Sequence, residues 1–349
     1  MAGAEATGRR PRPSLAGLGG RLRPEEWLFL TFSAVLIALM IYLGEGYSTL
    51  VKLVGNWRFG AIVLGMCAAI FLRGYWRAGG GHDLGRFRTA LATVGRTLRE
   101  FSPLWACMVI YETLHDLTPV LRPHVVDRQL IAIDHAVVGV DVARWLNDHI
   151  GSPAMTEVLV VCYASYGFAT PIYAAVLYLQ GRMGPFRDLS LAITITAFIG
   201  YLGYMTVPAV GPYVFQTDIY PDLLPQWGHN GLLDTINQVK GTARDCFPSL
   251  HTAMTTVLLT LMWRDARRLF WAYLPIALGL YLSTLYLRVH YGVDVAAGLV
   301  TAIVALILTP RINRWWQHRQ QEPVVIPRQR SSSSPVRLSG AATDRQSSG

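Results

Sequence analysis

Eight apolar runs constrain this chain more than any other feature. They are Trp27–Leu43, Phe59–Leu72, Pro103–Val120, Met155–Leu179, Leu189–Val207, Leu250–Trp263, Leu269–Leu287 and Val293–Thr309. Hydrophobic residues make up 52% of the chain and charged residues only 15%. A helix needs about 20 mostly apolar residues to cross a bilayer, where it pairs its own backbone groups. The sequence therefore predicts an all-α, polytopic membrane helix bundle of about eight spans.

The basic residues support this count independently. With a cytoplasmic N-terminus and eight spans, 23 of the 31 Lys and Arg residues fall on the cytoplasmic side and eight on the other. Cytoplasmic loops of membrane proteins carry an excess of Lys and Arg. We therefore expect both termini in the cytoplasm and long outside loops at about 121–154 and 208–248, the first with a short helix at Asp141–Ile150. The same distribution explains the net charge of +9 without a nucleic-acid partner.

Two polar stretches break the apolar pattern on the face that this topology places outside. Cys246–Thr252 (CFPSLHT) begins the sixth run, and Ser283–Asp294 (STLYLRVHYGVD) joins the seventh to the eighth. Polar groups at membrane depth are costly, and they are retained mainly where they function. Because both stretches lie on one side of the bundle, we expect them to meet.

His251, His290 and Asp294 are the candidate catalytic residues. Pro248-Ser249 is typical of a helix start, which places His251 in a first turn whose N–H groups attract anions. His290 and Asp294 are four residues apart on one helical face, so the carboxylate can fix the imidazole tautomer and raise its basicity. Each histidine alone is more often an interfacial residue. Their convergence with a carboxylate favours a nucleophile or a base.

Arg288 is a candidate for binding a phosphate, because its guanidinium can bind two phosphate oxygens at once. Lys240 and Arg244 lie in the loop before His251, where they can equally be solvated loop charges. The four cysteines show no C-x-x-C spacing, so no metal site and no cofactor is expected.

Glu112, His115 and Asp116 share one face near the outer end of the third run. They are spaced to bind a polar headgroup or to form a buried structural network. Both interpretations stay open.

The two polar stretches also carry a resemblance to a known family. Pro248–His251 resembles the P-S-G-H motif of the type 2 phosphatidic acid phosphatase superfamily, and Ser283–Asp294 resembles its S-R-x5-H-x3-D motif. Leu in place of Gly, after Phe-Pro-Ser, is similar to the inositolphosphotransferase branch, which includes inositol phosphorylceramide synthases. Tyr163–Tyr166 with Pro171, and Leu177–Arg182, are weaker similarities to that branch. The resemblance covers about residues 100–310.

This resemblance implies a six-helix core and metal-independent phosphoryl transfer through a phosphohistidine near the extracytoplasmic surface. His290 would be the nucleophile, Asp294 its orienting partner and His251 the general acid, while Ser249 and nearby N–H groups would hold the phosphate. The chain departs from the family in two places. Thr284 stands where the family has Arg, and the upstream K-x6-R-P motif is not visible. Arg288, Lys240 and Arg244 are the candidate replacements.

The resemblance leaves the acceptor open. Water would make the protein a lipid phosphatase acting on phosphatidate or a polyprenyl pyrophosphate. An alcohol such as inositol, ceramide or a sugar would make it a phosphotransferase, which the Leu250 variant favours. A non-catalytic lipid-binding or transport protein of the same fold is the second alternative, and in it the histidines would be dispensable.

Composition divides the chain into three parts. Residues 1–26 are rich in Gly, Arg and Pro, and residues 311–349 are basic and include Ser331–Ser334. Neither end has enough apolar residues to build a core, so we expect both to be disordered. Residues 27–310 are predicted to form the transmembrane catalytic domain, in the plasma membrane if the chain is bacterial.

Overall fold

The computed structural model describes residues 22–43, 68, 70–77, 83–220, 224–225, 232–234 and 244–321. Regular structure in these residues is helical and they contain no strand, so the all-α prediction is confirmed. The principal helices are α1 (Pro24–Leu43), α2 (Asp83–Leu121), α3 (Asp127–Val138), α4 (Val142–Ile150), α5 (Pro153–Ala164), α6 (Tyr166–Leu179), α7 (Met183–Thr206), α8 (Pro212–Phe215), α9 (Leu250–Asp265), α10 (Arg267–Tyr286) and α11 (Gly292–Gln321).

Four of these helices are long and apolar enough to cross a membrane: α1, α7, α10 and α11. Helices α5 and α6 would together make a fifth span, bent by 44°. Helix α9 has only 16 residues, and the predicted run Pro103–Val120 is the second half of the 39-residue α2. Most of the predicted run Phe59–Leu72 lies outside the described residues.

The predicted span Met155–Leu179 is divided in the structure at Ser165. The Ser165 hydroxyl donates to the carbonyl of Cys162 at 2.6 Å, and its N–H is shared between the carbonyls of Val161 and Cys162. A hydroxyl that competes for the backbone acceptors of the preceding turn bends a helix. The apolar pattern continues without interruption through Ser165, so it predicts one straight span and not the bend.

The segment predicted as an outside loop at 121–154 contains two helices. The expected short helix is present as α4, and Asp141 caps it by accepting the N–H of Arg144 at 2.9 Å. Helix α3 was not predicted. At the other end of the chain, α11 continues to Gln321, past the predicted end of the last span.

Helix α7 is the centre of the bundle. It packs against α1, α2, α6, α9 and α11. In the most apolar 18-residue stretch of α7, 72% of the residues are buried. In the corresponding stretch of α1 only 17% are buried, so most of its side chains face outward. The starts of α9 and α11, which carry the predicted histidine motifs, are therefore built on this central helix.

Two glycines allow the segment before α9 to lie between α7 and α11. A Cβ added at Gly203 of α7 would come within 2.2 Å of Pro248 Cδ. A Cβ at Gly298 of α11 would come within 2.4 Å of the carbonyl oxygen of Ser249. Any side chain at these positions would push the start of α9 out of place.

Gly203→Ala is expected to destabilise the protein by about 1–3 kcal/mol, because the new methyl group overlaps the proline ring. Gly184→Ala is the matched control, since it lies in the same helix with nothing within 4 Å of its added Cβ. The control should be neutral or gain up to about 1 kcal/mol from helix propensity. Thermal unfolding of both variants in detergent measures the difference. Equal stability of the two would contradict the close approach.

Candidate active site

The two predicted motifs meet where α9 and α11 begin. The N–H of Ser249 donates to the carbonyl of Asp294 at 3.0 Å, which joins the two helix starts directly. Ser249 is the N-cap of α9, as predicted, and its Oγ accepts the N–H of Thr252 at 3.3 Å. Ser249 is fully buried, and its bonds fix the turn that carries His251.

The imidazoles of His251 and His290 touch. His251 Nδ1 lies 3.2 Å from His290 Nε2, a hydrogen bond in which one ring donates and the other accepts. His290 is only 2% exposed. Asp294 Oδ2 lies 3.5 Å from the other nitrogen of His290, Nδ1. The structure therefore brings the three predicted catalytic residues together in the order His251, His290, Asp294.

The carboxylate of Asp294 also caps its own helix. Its Oδ2 accepts the N–H of Tyr291, the residue before α11, at 2.8 Å. An acidic residue at the third helical position that reaches back to the N-cap N–H is half of a capping box. The bond fixes where α11 starts, and it thereby fixes the carboxylate beside His290.

Cys246 is a member of the site that the sequence did not reveal. Its Sγ donates to Asp294 Oδ2 at 2.8 Å and lies 3.6 Å from His290 Nδ1. Burial raises the pKa of this thiol well above its ordinary value, and the Asp294 carboxylate raises it further, so the thiol is protonated and donates. Nothing in the spacing of the four cysteines distinguishes Cys246, because its partners come from a distant helix start.

Cys246, His290 and Asp294 form a group of possible metal ligands. One ligand atom from each lies within 4.8 Å of the others, and all three residues are buried. The prediction of no metal site rested on cysteine spacing, which does not show that these three residues meet in the folded protein.

Two tyrosines hold the ring of His251. The rings of Tyr163 and Tyr166 lie 4.6 Å and 4.3 Å from the His251 ring, centroid to centroid. Nearby, the Tyr111 hydroxyl donates to the carboxylate of Asp245. Tyr163 and Tyr166, which carry one of the weaker similarities to the family branch, therefore pack directly against a candidate catalytic residue.

Arg288 occupies a strained position at the end of α10. The N–H of Arg288 donates to Leu285 O at 2.9 Å and that of Val289 to Thr284 O at 3.0 Å, the two bonds of a Schellman C-cap. In this motif the left-handed residue is usually glycine, yet Arg288 holds φ at 60°. A non-glycine residue in that region costs roughly 1–2 kcal/mol, and such strain is concentrated at functional sites.

The Arg288 side chain is held at 7% exposure. Its Nε donates to Asn147 Oδ1 at 2.7 Å, and its guanidinium lies 4.4 Å from the centre of the Tyr220 ring. Tyr220 in turn donates to Asp141, the N-cap of α4. The short helix α4 thus helps to orient the arginine two residues before His290.

Two buried acids of α3 hold the loops around His290. Asp134 accepts the N–H groups of Gly292 and Val293, the first two residues of α11, at 2.6 and 2.7 Å. Asp127 accepts the Tyr291 hydroxyl at 2.9 Å and the Gly211 N–H at 2.9 Å. They lie seven residues apart, which is the helical spacing that could have indicated them. Sequence reasoning missed them because it treated this segment as a loop.

The remaining predicted residues lie elsewhere. Arg244 donates through Nη1 to the carbonyls of Arg122 and Pro123 at 2.6 and 3.0 Å, which ties the loop before α9 to the end of α2. Lys240 lies outside the described residues. Glu112 is exposed, whereas His115 and Asp116 are half-buried on α2.

Comparison with known proteins decides the family. A family model described as PAP2 superfamily matches residues 128–308, more than half of the chain. The chain belongs to the PAP2 superfamily. It is also similar to an inositol phosphorylceramide synthase of Candida albicans (strain SC5314 / ATCC MYA-2876), at 25% identity over 226 residues. That match covers 59% of this chain and 47% of the relative, so the chain spans about half the relative's length. No solved structure gives a significant match.

The predicted superfamily is thus confirmed. The similarity to the Candida albicans synthase agrees with the predicted inositolphosphotransferase-like branch. Together with the long apolar helices, membership makes the chain an integral membrane protein of a lipid phosphatase and phosphotransferase family.

Proposed function

We propose that this protein is a membrane phosphotransferase that moves a phosphate-linked headgroup from a phospholipid to an alcohol through a phosphohistidine on His290. The observation that carries the proposal is the 3.2 Å contact between His251 Nδ1 and His290 Nε2, with Asp294 on the far side of His290. Covalent phosphoryl transfer uses a nucleophile, a group that carries the proton and a carboxylate that orients the nucleophile. His290, His251 and Asp294 can supply these three functions in that order.

In the first step, the lone pair of His290 Nε2 attacks the phosphorus of the lipid. The N–P bond forms as the P–O bond to the lipid alcohol breaks, and protonated His251 gives its proton to the leaving oxygen. The phosphorus must enter between the two imidazoles and separate their contact. Asp294 beside Nδ1 keeps the proton on that nitrogen, so the lone pair stays on Nε2.

In the second step, an acceptor hydroxyl attacks the same phosphorus. Neutral His251 takes the hydroxyl proton, the new P–O bond forms, and the P–N bond breaks to restore His290. Burial of His290 and the tyrosine rings around His251 limit the access of water, which supports an alcohol as the acceptor. The similarity to a protein named inositol phosphorylceramide synthase supports inositol phosphate as the transferred group and ceramide as one acceptor.

Arg288 is the proposed phosphate-binding residue. Its strained backbone and its side chain, held by Asn147 and Tyr220, fix a guanidinium that lies two residues before His290 in the chain. A guanidinium binds phosphate oxygens in a fork and stabilises the charge that develops on them during transfer.

The first test follows phospholipid turnover by purified protein in detergent, with labelled phosphatidylinositol, phosphatidate and ceramide. His290→Ala is expected to abolish formation of labelled inositol phosphorylceramide, and His251→Ala to reduce it by about 10²–10⁴-fold, the usual contribution of a general acid. His149→Ala is the matched control, an exposed histidine of α4 bonded to the Trp145 carbonyl, and it should retain activity.

Full activity in His290→Ala would refute the phosphohistidine mechanism. Free phosphate from phosphatidate as the only product, absent in His290→Ala, would make the protein a phosphatase that uses the same histidines.

Arg288→Lys is expected to raise KM for the phospholipid by about tenfold or more, since charged hydrogen bonds contribute roughly 1.5–3 kcal/mol and Lys lacks the fork. Arg144→Lys, with a 61% exposed side chain on α4, is the control. Steady-state kinetics of both variants give the comparison. An unchanged KM in Arg288→Lys would place the phosphate elsewhere.

We also propose that the site faces the extracytoplasmic side, with both termini in the cytoplasm, because the basic residues are distributed in that sense. Two exposed glutamines test it in a chain whose native cysteines are replaced by serine. Gln129→Cys on α3 should react with a membrane-impermeant maleimide in intact cells. Gln180→Cys, after α6, should react only once the cells are permeabilised, and the reverse pattern would contradict the topology.

A further inference from the structure

The proposed reaction gives no role to the thiol of Cys246. This sulfur, His290 Nδ1 and the Asp294 carboxylate place S, N and O donors within 4.8 Å of one another. The other carboxylate oxygen, Asp294 Oδ1, is buried and accepts no hydrogen bond from the described residues. A fully buried carboxylate oxygen without a partner is costly, and an ion bound by both oxygens of this carboxylate would supply the missing partner.

We propose that Cys246, His290 and Asp294 form a binding site for Zn²⁺, and that its occupation switches the reaction off. Zinc accepts this mixture of sulfur, imidazole and carboxylate ligands, and sites with three protein ligands take a water molecule in the fourth position. A thiolate and a carboxylate together cancel the charge of the ion. The buried site would therefore hold no net charge, which lowers the cost of placing the ion there.

The helix start can survive binding of the ion. Asp294 Oδ2 caps α11 through the N–H of Tyr291, while Oδ1 is the oxygen without a partner. Oδ2 is the oxygen that faces Cys246 Sγ and His290 Nδ1, and its two lone pairs allow it to bind the ion and still accept the Tyr291 N–H. Oδ1 gains a partner when the carboxylate binds the ion through both oxygens. A small cleft reaches one ligand of the cluster, since His290 lines it together with Gly292, Asp134, His135, Asp141 and Pro212.

Inhibition follows from the chemistry of the imidazole. The Cys246 thiol loses its proton to solvent as the sulfur–metal bond forms. His290 binds the ion through the lone pair of Nδ1, so its single ring proton moves to Nε2. An Nε2 that carries a proton has no lone pair for the phosphorus. This consequence rests on the proposed function, whereas the binding of the ion does not.

Equilibrium dialysis of the full-length protein in detergent against ZnCl₂ tests the site. The wild-type chain should bind one Zn²⁺. Cys246→Ser, which keeps a hydrogen-bond donor beside Asp294, should bind it at least about tenfold more weakly. Cys107→Ser and Cys162→Ser are matched controls, because both remove a buried cysteine that does not belong to the cluster, and both should bind like the wild type.

Absorption of the Co²⁺-substituted wild-type protein gives a second measurement that does not depend on the folding of Cys246→Ser. A thiolate-to-cobalt charge-transfer band that saturates at one equivalent supports Cys246 as a ligand when Cys107→Ser and Cys162→Ser retain it. No bound Zn²⁺ in the wild type, equal binding by Cys246→Ser, or bound Co²⁺ without the band would each overturn the site.

The phospholipid assay then tests inhibition. One equivalent of Zn²⁺ should lower wild-type turnover at least tenfold and leave the turnover of Cys246→Ser at its own metal-free rate. Stoichiometric binding with unchanged wild-type turnover would overturn the inhibitory role. A protein that binds Zn²⁺ as expected but turns over no phospholipid would instead count against the proposed function, so the two failures are distinguishable.

Discussion

The carboxylate of Asp294 is the group on which the rest of the candidate site depends. It caps α11, lies beside Nδ1 of His290 and accepts the thiol of Cys246, while the backbone carbonyl of the same residue accepts the N–H of Ser249 at the start of α9. One residue thus joins two helix starts, Leu250 and Gly292, that lie 42 positions apart in the chain. Because a buried carboxylate is expensive unless it is hydrogen-bonded, these contacts stabilise the fold and orient the histidine at the same time.

The backbone geometry at the end of α10 fixes the position of a second charged residue, Arg288. The Schellman cap at the end of α10 requires a left-handed residue, and the chain places Arg288 there instead of glycine. The cap turns the backbone sharply after Tyr286, the last residue of α10. Arg288 and His290 are the second and fourth residues after that helix end. Strain of about 1–2 kcal/mol is a substantial part of the roughly 5–15 kcal/mol that stabilises a typical fold, so the contacts around Arg288 must offset it.

Buried acids outside the motifs complete the arrangement. Asp134 accepts the first two N–H groups of α11, so a carboxylate of α3 already occupies the anion-binding end of that helix. In the proposed reaction, a phosphate at His290 would therefore meet the start of α9 more favourably than the start of α11. This division explains why two adjacent helix N-termini need not act alike.

The sequence by itself determined the fold class, the positions of most apolar helices and the three residues His251, His290 and Asp294. Apolar runs of membrane length and the four-residue spacing of His290 and Asp294 are local properties, and local spacing is what a single sequence records. The Ser249 cap could be predicted for the same reason, since its partner is three residues away.

Only the tertiary structure decided which distant groups join them. Cys246 reaches Asp294, Asp127 and Asp134 reach α11 from α3, and Arg244 turns to the end of α2. The contact between the two histidines depends on glycines of α7 and α11 that let the start of α9 lie between them. These outcomes rest on how helices pack, and packing is set by side-chain volumes across the whole bundle, which no local pattern in the chain specifies.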